Sequence, residues 1–213
     1  MENRKRSPVT LGSLALIPVA LMLGGCASSA GMGSTPANTS ASASRSVGDA
    51  VASWPAKQRE TIMMMTQKYG APSVIGDRLV VWYNTGPFVM TSVTRDEVQH
   101  NFPMPHPDYL AQTVRHKVPG DKLGELFEYD GSVWFHRTRG ELTAQCDVEE
   151  MNMLALNLAH DIVMGKRTVA DARAFYGKTA MAFKNGDRSS PYTQGLMFQT
   201  NPGAADPDRA LQM

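Results

Sequence analysis

Apolar positions recur at different spacings along the 213-residue chain, and each spacing predicts a different element. Residues 9–23 are a mostly apolar run, broken only by Thr10, Gly12, Ser13 and Pro18. From Trp54 the spacing becomes three to four. Ile62, Met65 and Tyr69 form one stripe, which predicts a helix over 54–69. Ser53 stands before it, Pro55 in its first turn, and Gly70 and Pro72 at its stop. Two β-rich runs, 79–83 and 88–93, flank Asn84-Thr85-Gly86-Pro87 and predict a hairpin. Residues 99–121 carry Pro103, Pro105, Pro107 and Pro119, which predicts a surface loop with a short turn or helix at 108–116, not a central strand.

A second hairpin is predicted around Asp130-Gly131, the dipeptide of a tight type I′ turn, between strands at 123–129 and 132–138. That register would set Phe127 opposite Trp134 and Glu125 opposite His136. Arg137, Arg139 and Glu141 would lead into a strand ending near Ala144. Asp147, with Glu150 three residues on, fits a helix cap, and Gly165 with Lys166-Arg167 fits the far end, giving a helix over 147–164. Met151, Leu154, Ala155, Leu158 and Ile162 share its apolar face; Glu149, Glu150, Asn157, His160 and Asp161 share the opposite one. Thr168 and Asp171 cap another helix, 168–183, with Val169, Ala172, Phe175 and Tyr176 inward. Residues 192–199 have strand character, and 201–213 read as a loose tail. The expected fold is α+β: four to six antiparallel strands built from hairpins, with two or three helices on one face.

The amino-terminal run acquires meaning from its flanks. Arg4, Lys5 and Arg6 precede it and Leu23-Gly24-Gly25-Cys26 ends it, the three-part layout of an export signal. The run is short of the roughly 20 apolar residues that a spanning helix needs. Leu23-Gly24-Gly25-Cys26 resembles the lipobox of bacterial lipoproteins. That resemblance implies removal of residues 1–25, acylation of Cys26 and attachment to a bilayer by several acyl chains. Ala27, where an aspartate would retain such a protein at the inner membrane, implies the outer membrane, facing the periplasm. Residues 26–53 are dominated by Ser, Ala, Gly and Thr and read as a flexible tether with a reach of roughly 25–30 Å. The globular domain is then 54–200. Over about 40 residues, the helix, the Tyr69-Gly70-Ala71-Pro72 break and the first hairpin also resemble small outer-membrane lipoproteins of the assembly-factor type.

Composition narrows the partners. Without residues 1–25 the chain has 18 basic and 19 acidic residues, so nucleic acid is not an expected partner. Only Cys146 remains beside Cys26, which excludes a disulfide framework. Candidate chemistry gathers in three places. Cys146, ahead of a helix, could pair with His136 as nucleophile and base. Glu150, Asn157, His160 and Asp161 could form a polar strip for a ligand or partner, although the spacing fits no zinc motif. His106, in Pro-His-Pro with His100, Asp108 and His116 nearby, could contribute to a ligand surface or take up Zn²⁺ or Cu²⁺. The row Met63-Met64-Met65 is better read as helix packing than as soft-metal ligands. No cofactor and no metal is expected. The reading is a membrane-anchored envelope lipoprotein whose domain binds another envelope component. The alternatives are a periplasmic hydrolase using His136, Cys146 or His160, and a small-ligand carrier with an apolar cavity beneath Trp82 and Trp134.

Overall fold

A computed structural model describes residues 46–213; the signal, Cys26 and most of the tether lie outside the described residues. The chain continues through α1 (Val47–Ala50), α2 (Ala56–Tyr69), β1 (Val74–Ile75), β2 (Leu79–Thr85), β3 (Phe88–His100), β4 (His106–Arg115), a 3₁₀ turn (Gly120–Lys122), α3 (Leu123–Tyr129), β5 (Val133–His136), β6 (Glu141–Cys146), α4 (Glu149–Val163), α5 (Val169–Lys184) and α6 (Pro191–Gln194). The six strands form one sheet in the order β1-β2-β3-β4-β6-β5, every neighbouring pair antiparallel. The expected α+β class is therefore the observed one.

Three elements differ from expectation, each for a physical reason. Residues 106–115 are a central strand, not a loop. Pro107 is tolerated because it lies beyond the last β4–β6 pair, Leu110↔Cys146, so its missing N–H removes no bond from that ladder. Residues 123–129 are helix, not strand. Leu126 and Tyr129, three apart, are buried while Phe127 between them is 61% exposed, a helical pattern. Asp130-Gly131 thus turns a helix into β5, with Asp130 Oδ1 accepting the Ser132 N–H at 2.8 Å. The hairpin in this region joins β5 to β6, pairing Trp134 with Thr143 and His136 with Glu141. Residues 192–199 are not a strand; α6 and a coil replace it.

The domain also extends at both ends. Val51 and Trp54, assigned to the tether and its junction, are buried with Ile62, Met65, Val80 and Trp82. Of the Met63-Met64-Met65 row, only Met65 packs into the core; Met63 and Met64 are exposed. At the other end, residues 201–208 are seated, not loose. The Asn201 N–H bonds to Arg115 O at 2.9 Å and the Asp206 N–H to Arg137 O at 3.2 Å. Arg137 also pairs with Asp206 and Asp208, and Ala204 is buried.

Helix α4 has the most enclosed position. It packs on β4, β5 and β6 on one side, while α3, α5 and α6 pack against it on others. Twelve of its fifteen residues are buried, so it is a core helix and not an amphipathic surface one. Val148 occupies the N-cap position without a side-chain cap, one residue beyond the expected Asp147. Thr168 caps α5 as expected, accepting the Asp171 N–H.

Gly140 joins the two ends of this arrangement. It has φ +63°, and a Cβ there would run into the Ala204 backbone. Gly140→Ala is expected to lower stability by about 2–3 kcal/mol through backbone strain and overpacking. Urea denaturation measures the loss. Limited proteolysis should cut residues 201–208 sooner in the variant; an unchanged midpoint and cleavage rate would contradict the seating of this segment.

Candidate functional site

Strand geometry alone brings the most chemically capable side chains together. His106 and Asp108 are two apart on β4 and so share a face; His100 on β3 is the cross-strand partner of His106. His100 Nδ1 lies 3.2 Å from Asp108 Oδ2, and His106 Nε2 lies 3.1 Å from Asp108 Oδ1. The rings are 4.9 Å apart. Asp108 is 1% exposed and also accepts from Ser132 Oγ. Asp130, from the turn after α3, stands 3.6 Å from His100 Nε2. His106 Nδ1 is 2.8 Å from the Met104 carbonyl. Cys146, at the end of β6, completes the neighbourhood.

Electrostatics follow from this crowding. The Asp108 carboxylate, and after it Cys146, push the His106 imidazolium up to about 11, so His106 is a cation at neutral pH. Burial raises the Asp130 carboxyl above its ordinary range. Burial likewise raises the Cys146 thiol, with His106 pulling the other way.

A cleft of about 410 Å³ opens beside this cluster, between residues 103–107, the start of α4 and one side of α5. Met104, Met151, Tyr176 and Phe183 give it apolar walls; the exposed Lys57 and Lys184 bring positive charge to it and the half-buried Asp147 one negative charge. His106 and Cys146 also line it. Phe102 anchors the 101–105 connection by packing against Tyr176, the rings tilted with centroids 5.2 Å apart, and by lying under the Arg173 guanidinium at 3.9 Å.

The remaining candidates are scattered. His136 is exposed on the edge strand, opposite Glu141 and five residues along β6 from Cys146, so the proposed Cys–His pair does not form. Asn157 and Asp161 are not a partner surface; both are buried and already bonded. Asn157 Nδ2 donates to the carbonyls of Tyr192 (3.0 Å) and Gly195 (2.8 Å), and its Oδ1 accepts the Met197 N–H at 2.7 Å. Asp161 accepts from Tyr192 Oη at 2.7 Å and Arg167 Nε at 3.2 Å. Glu150 is half-buried beside a second hollow of about 340 Å³ with Lys68 and Arg188. Trp82 is buried against α2 and Trp134 is partly exposed on the edge strand, so neither roofs the cleft.

His160 and His116 form a separate pair. His116 Nε2 and His160 Nδ1 are 2.9 Å apart, and Phe198 stacks on His160 at 4.5 Å. One ring must donate and the other accept, so at least one is neutral. The sequence groups His116 with His106, but β4 carries it ten residues away, to the opposite end of the strand. What sequence reasoning missed is that His100, the cross-strand partner of His106, and Asp108, two residues further along β4, converge with it, and that Asp130 stands beside them. The available signal was the His-x-Asp spacing at 106–108, which becomes meaningful only on a strand. No family model, curated protein or solved structure matches this chain.

The histidine pair generates a pH dependence. Burial, and then its neighbour His160, push His116 down to about 4; burial and Lys166 lower His160. Both folded values lie below the unfolded value of about 6.5, so the neutral rings favour the fold. Their contribution is complete above pH 6.5 and is lost as pH falls from there towards 4. Urea titrations at pH 7.5 and 4.5 are expected to show a loss of roughly 2–3 kcal/mol attributable to His116. His116→Gln should remove that part of the loss; an identical pH slope in the variant would refute the assignment.

Proposed function

We propose that this protein is a lipid-anchored envelope lipoprotein, held at the outer membrane through Cys26, and that its domain works by binding. The observation that carries the binding reading is the cleft. Its walls are apolar, its charged side chains are the exposed Lys57 and Lys184, the half-buried Asp147 and His106, and His106 links one side of it to the His/Asp cluster around the buried Asp108. Such a cleft suits a ligand with an apolar body and a single acidic group, such as a fatty-acid-like amphiphile presented near a membrane.

The hydrolase alternative has one specific feature in its favour, the sequence of neighbours Cys146, His106 and Asp108. It lacks a base. Nδ1 of His106 faces the Met104 carbonyl and Nε2 faces Asp108, and the ring is already protonated. Burial further keeps Cys146 as a thiol, which is the unreactive form. Among the described residues no helix is long and apolar enough to cross a membrane; the anchor therefore rests on the Leu23-Gly24-Gly25-Cys26 motif.

Two measurements test the proposal together. Radiolabelled palmitate should enter the protein in cells, and a Cys26→Ala form should leave the membrane fraction. The Cys26→Ala protein should bind dodecanoate in competition with a fluorescent anionic probe. Lys57→Glu with Lys184→Glu is expected to weaken dodecanoate about tenfold, from ~1 kcal/mol or less per exposed charge, while leaving dodecanol unchanged. Failure of label incorporation would refute the anchor; absence of dodecanoate binding, or indifference to the charge reversals, would refute the ligand class.

A further inference from the structure

We propose that His100, His106 and Asp108 form a binding site for a divalent first-row transition-metal ion, with Zn²⁺ as its representative. This inference depends neither on the lipid anchor nor on the organic ligand assigned to the cleft.

Three observations carry it. The first is convergence. One ring nitrogen from each histidine and one carboxylate oxygen of Asp108 all lie within 4.8 Å of one another. Two imidazoles and a carboxylate make a borderline donor set that suits zinc and its neighbours, not calcium or magnesium. The three come from paired strands, so the sheet holds them without a ligand.

The second is a mismatch between distance and bonding. His100 Nδ1 is 3.2 Å and His106 Nε2 is 3.1 Å from the Asp108 oxygens. Yet His100 Nδ1 and Asp108 Oδ1 are buried without a hydrogen-bond partner. A buried polar atom left so costs roughly 1–3 kcal/mol. Donor atoms bound at about 2.0–2.1 Å around a tetrahedral ion stand roughly 3.3–3.4 Å apart. The observed nitrogen–oxygen separations are close to that edge, each histidine approaching a different oxygen of Asp108; on binding, the ion takes the place of the proton that His106 otherwise holds against Asp108.

The third is the surrounding shell. A metal-bound histidine usually gives its other ring N–H to a carbonyl or a carboxylate, which fixes its orientation. Here the remote nitrogen of His106 faces the Met104 carbonyl at 2.8 Å, and that of His100 faces Asp130 at 3.6 Å. Ser132 Oγ donates to Asp108 Oδ2. His106 and Asp108 are thus oriented from behind by hydrogen bonds, and His100 has the Asp130 carboxyl as its neighbour on that side. His106 also lines the cleft, which gives an ion a route from solvent.

The test uses the full chain carrying Cys26→Ala, so that a second thiol does not compete for metal. The protein is stripped with EDTA and titrated with ZnCl₂ against a chromophoric chelator. One Zn²⁺ per chain with submicromolar affinity is expected, with a rise in Tm on loading. His100→Ala, His106→Ala and Asp108→Asn should each weaken binding by more than about 100-fold, and Asp130→Asn by roughly 10–100-fold. His136→Ala should have no effect. If the ligand variants fail to fold, diethyl pyrocarbonate mapping of the parent protein decides: Zn²⁺ should protect His100 and His106 but not His136 or His160. No stoichiometric uptake, ligand variants that bind as the parent does, or uniform protection of all histidines would overturn the site.

Discussion

A helix with protein on every side must satisfy its polar groups from within, and that constraint on α4 organises the whole domain. Glu149 at its start is 5% exposed and meets Lys68 and Tyr69 of α2 and Gln112 of β4. Asn152 Nδ2 donates to the Leu110 carbonyl at 3.0 Å and to Gln112 Oε1 at 3.2 Å, while its Oδ1 is left without a protein partner. Asn157 and Asp161 are completed by α6 and the chain that follows it. Each such group would cost roughly 1–3 kcal/mol if left unpaired in the interior. The sheet, α2 and the C-terminal segment are therefore all tied to one helix by bonds that cannot be exchanged for water.

The same arrangement builds the cleft and the cluster. β6 ends at Cys146 and α4 begins three residues later, so the helix start is pinned at the end of β4 where His106 and Asp108 stand. α5 packs on α4 and carries Tyr176 and Phe183 to the cleft wall. Arg173 of α5 donates to the Tyr129 carbonyl at 2.6 Å, beside the turn that supplies Asp130. Metal ligands, their orienting groups and the cleft are thus products of one packing solution.

Much of the architecture was legible. The β2–β3 hairpin, α2, α5 with its Thr168 cap and the α+β class follow from local spacing and turn residues, which act within a few positions of the chain. What was hidden depends on contacts across the chain. A short run such as 123–129 has too few positions to separate a period of two from one of 3.6. Pro107 excludes a central strand only where a neighbour needs its N–H, and β6 stops short of it. The polar stripe of α4 looked solvated because Asn157 and Asp161 are polar, yet Met153 and Leu156 spread apolar character around the helix, a sign of full burial. For the site, His106 was recognised, and His100 and Asp108 were noted as sequence neighbours. Their convergence needed the β3–β4 pairing, which no local pattern encodes.

Native-state hydrogen exchange measures the central constraint most directly. If α4 is the enclosed keystone, the amides of Leu154, Leu156, Leu158 and Ala159 exchange last, and only through global unfolding, with the same free energy and denaturant dependence as the β4 and β6 amides. Exchange of α4 through a smaller local opening, while the sheet stays protected, would contradict the account.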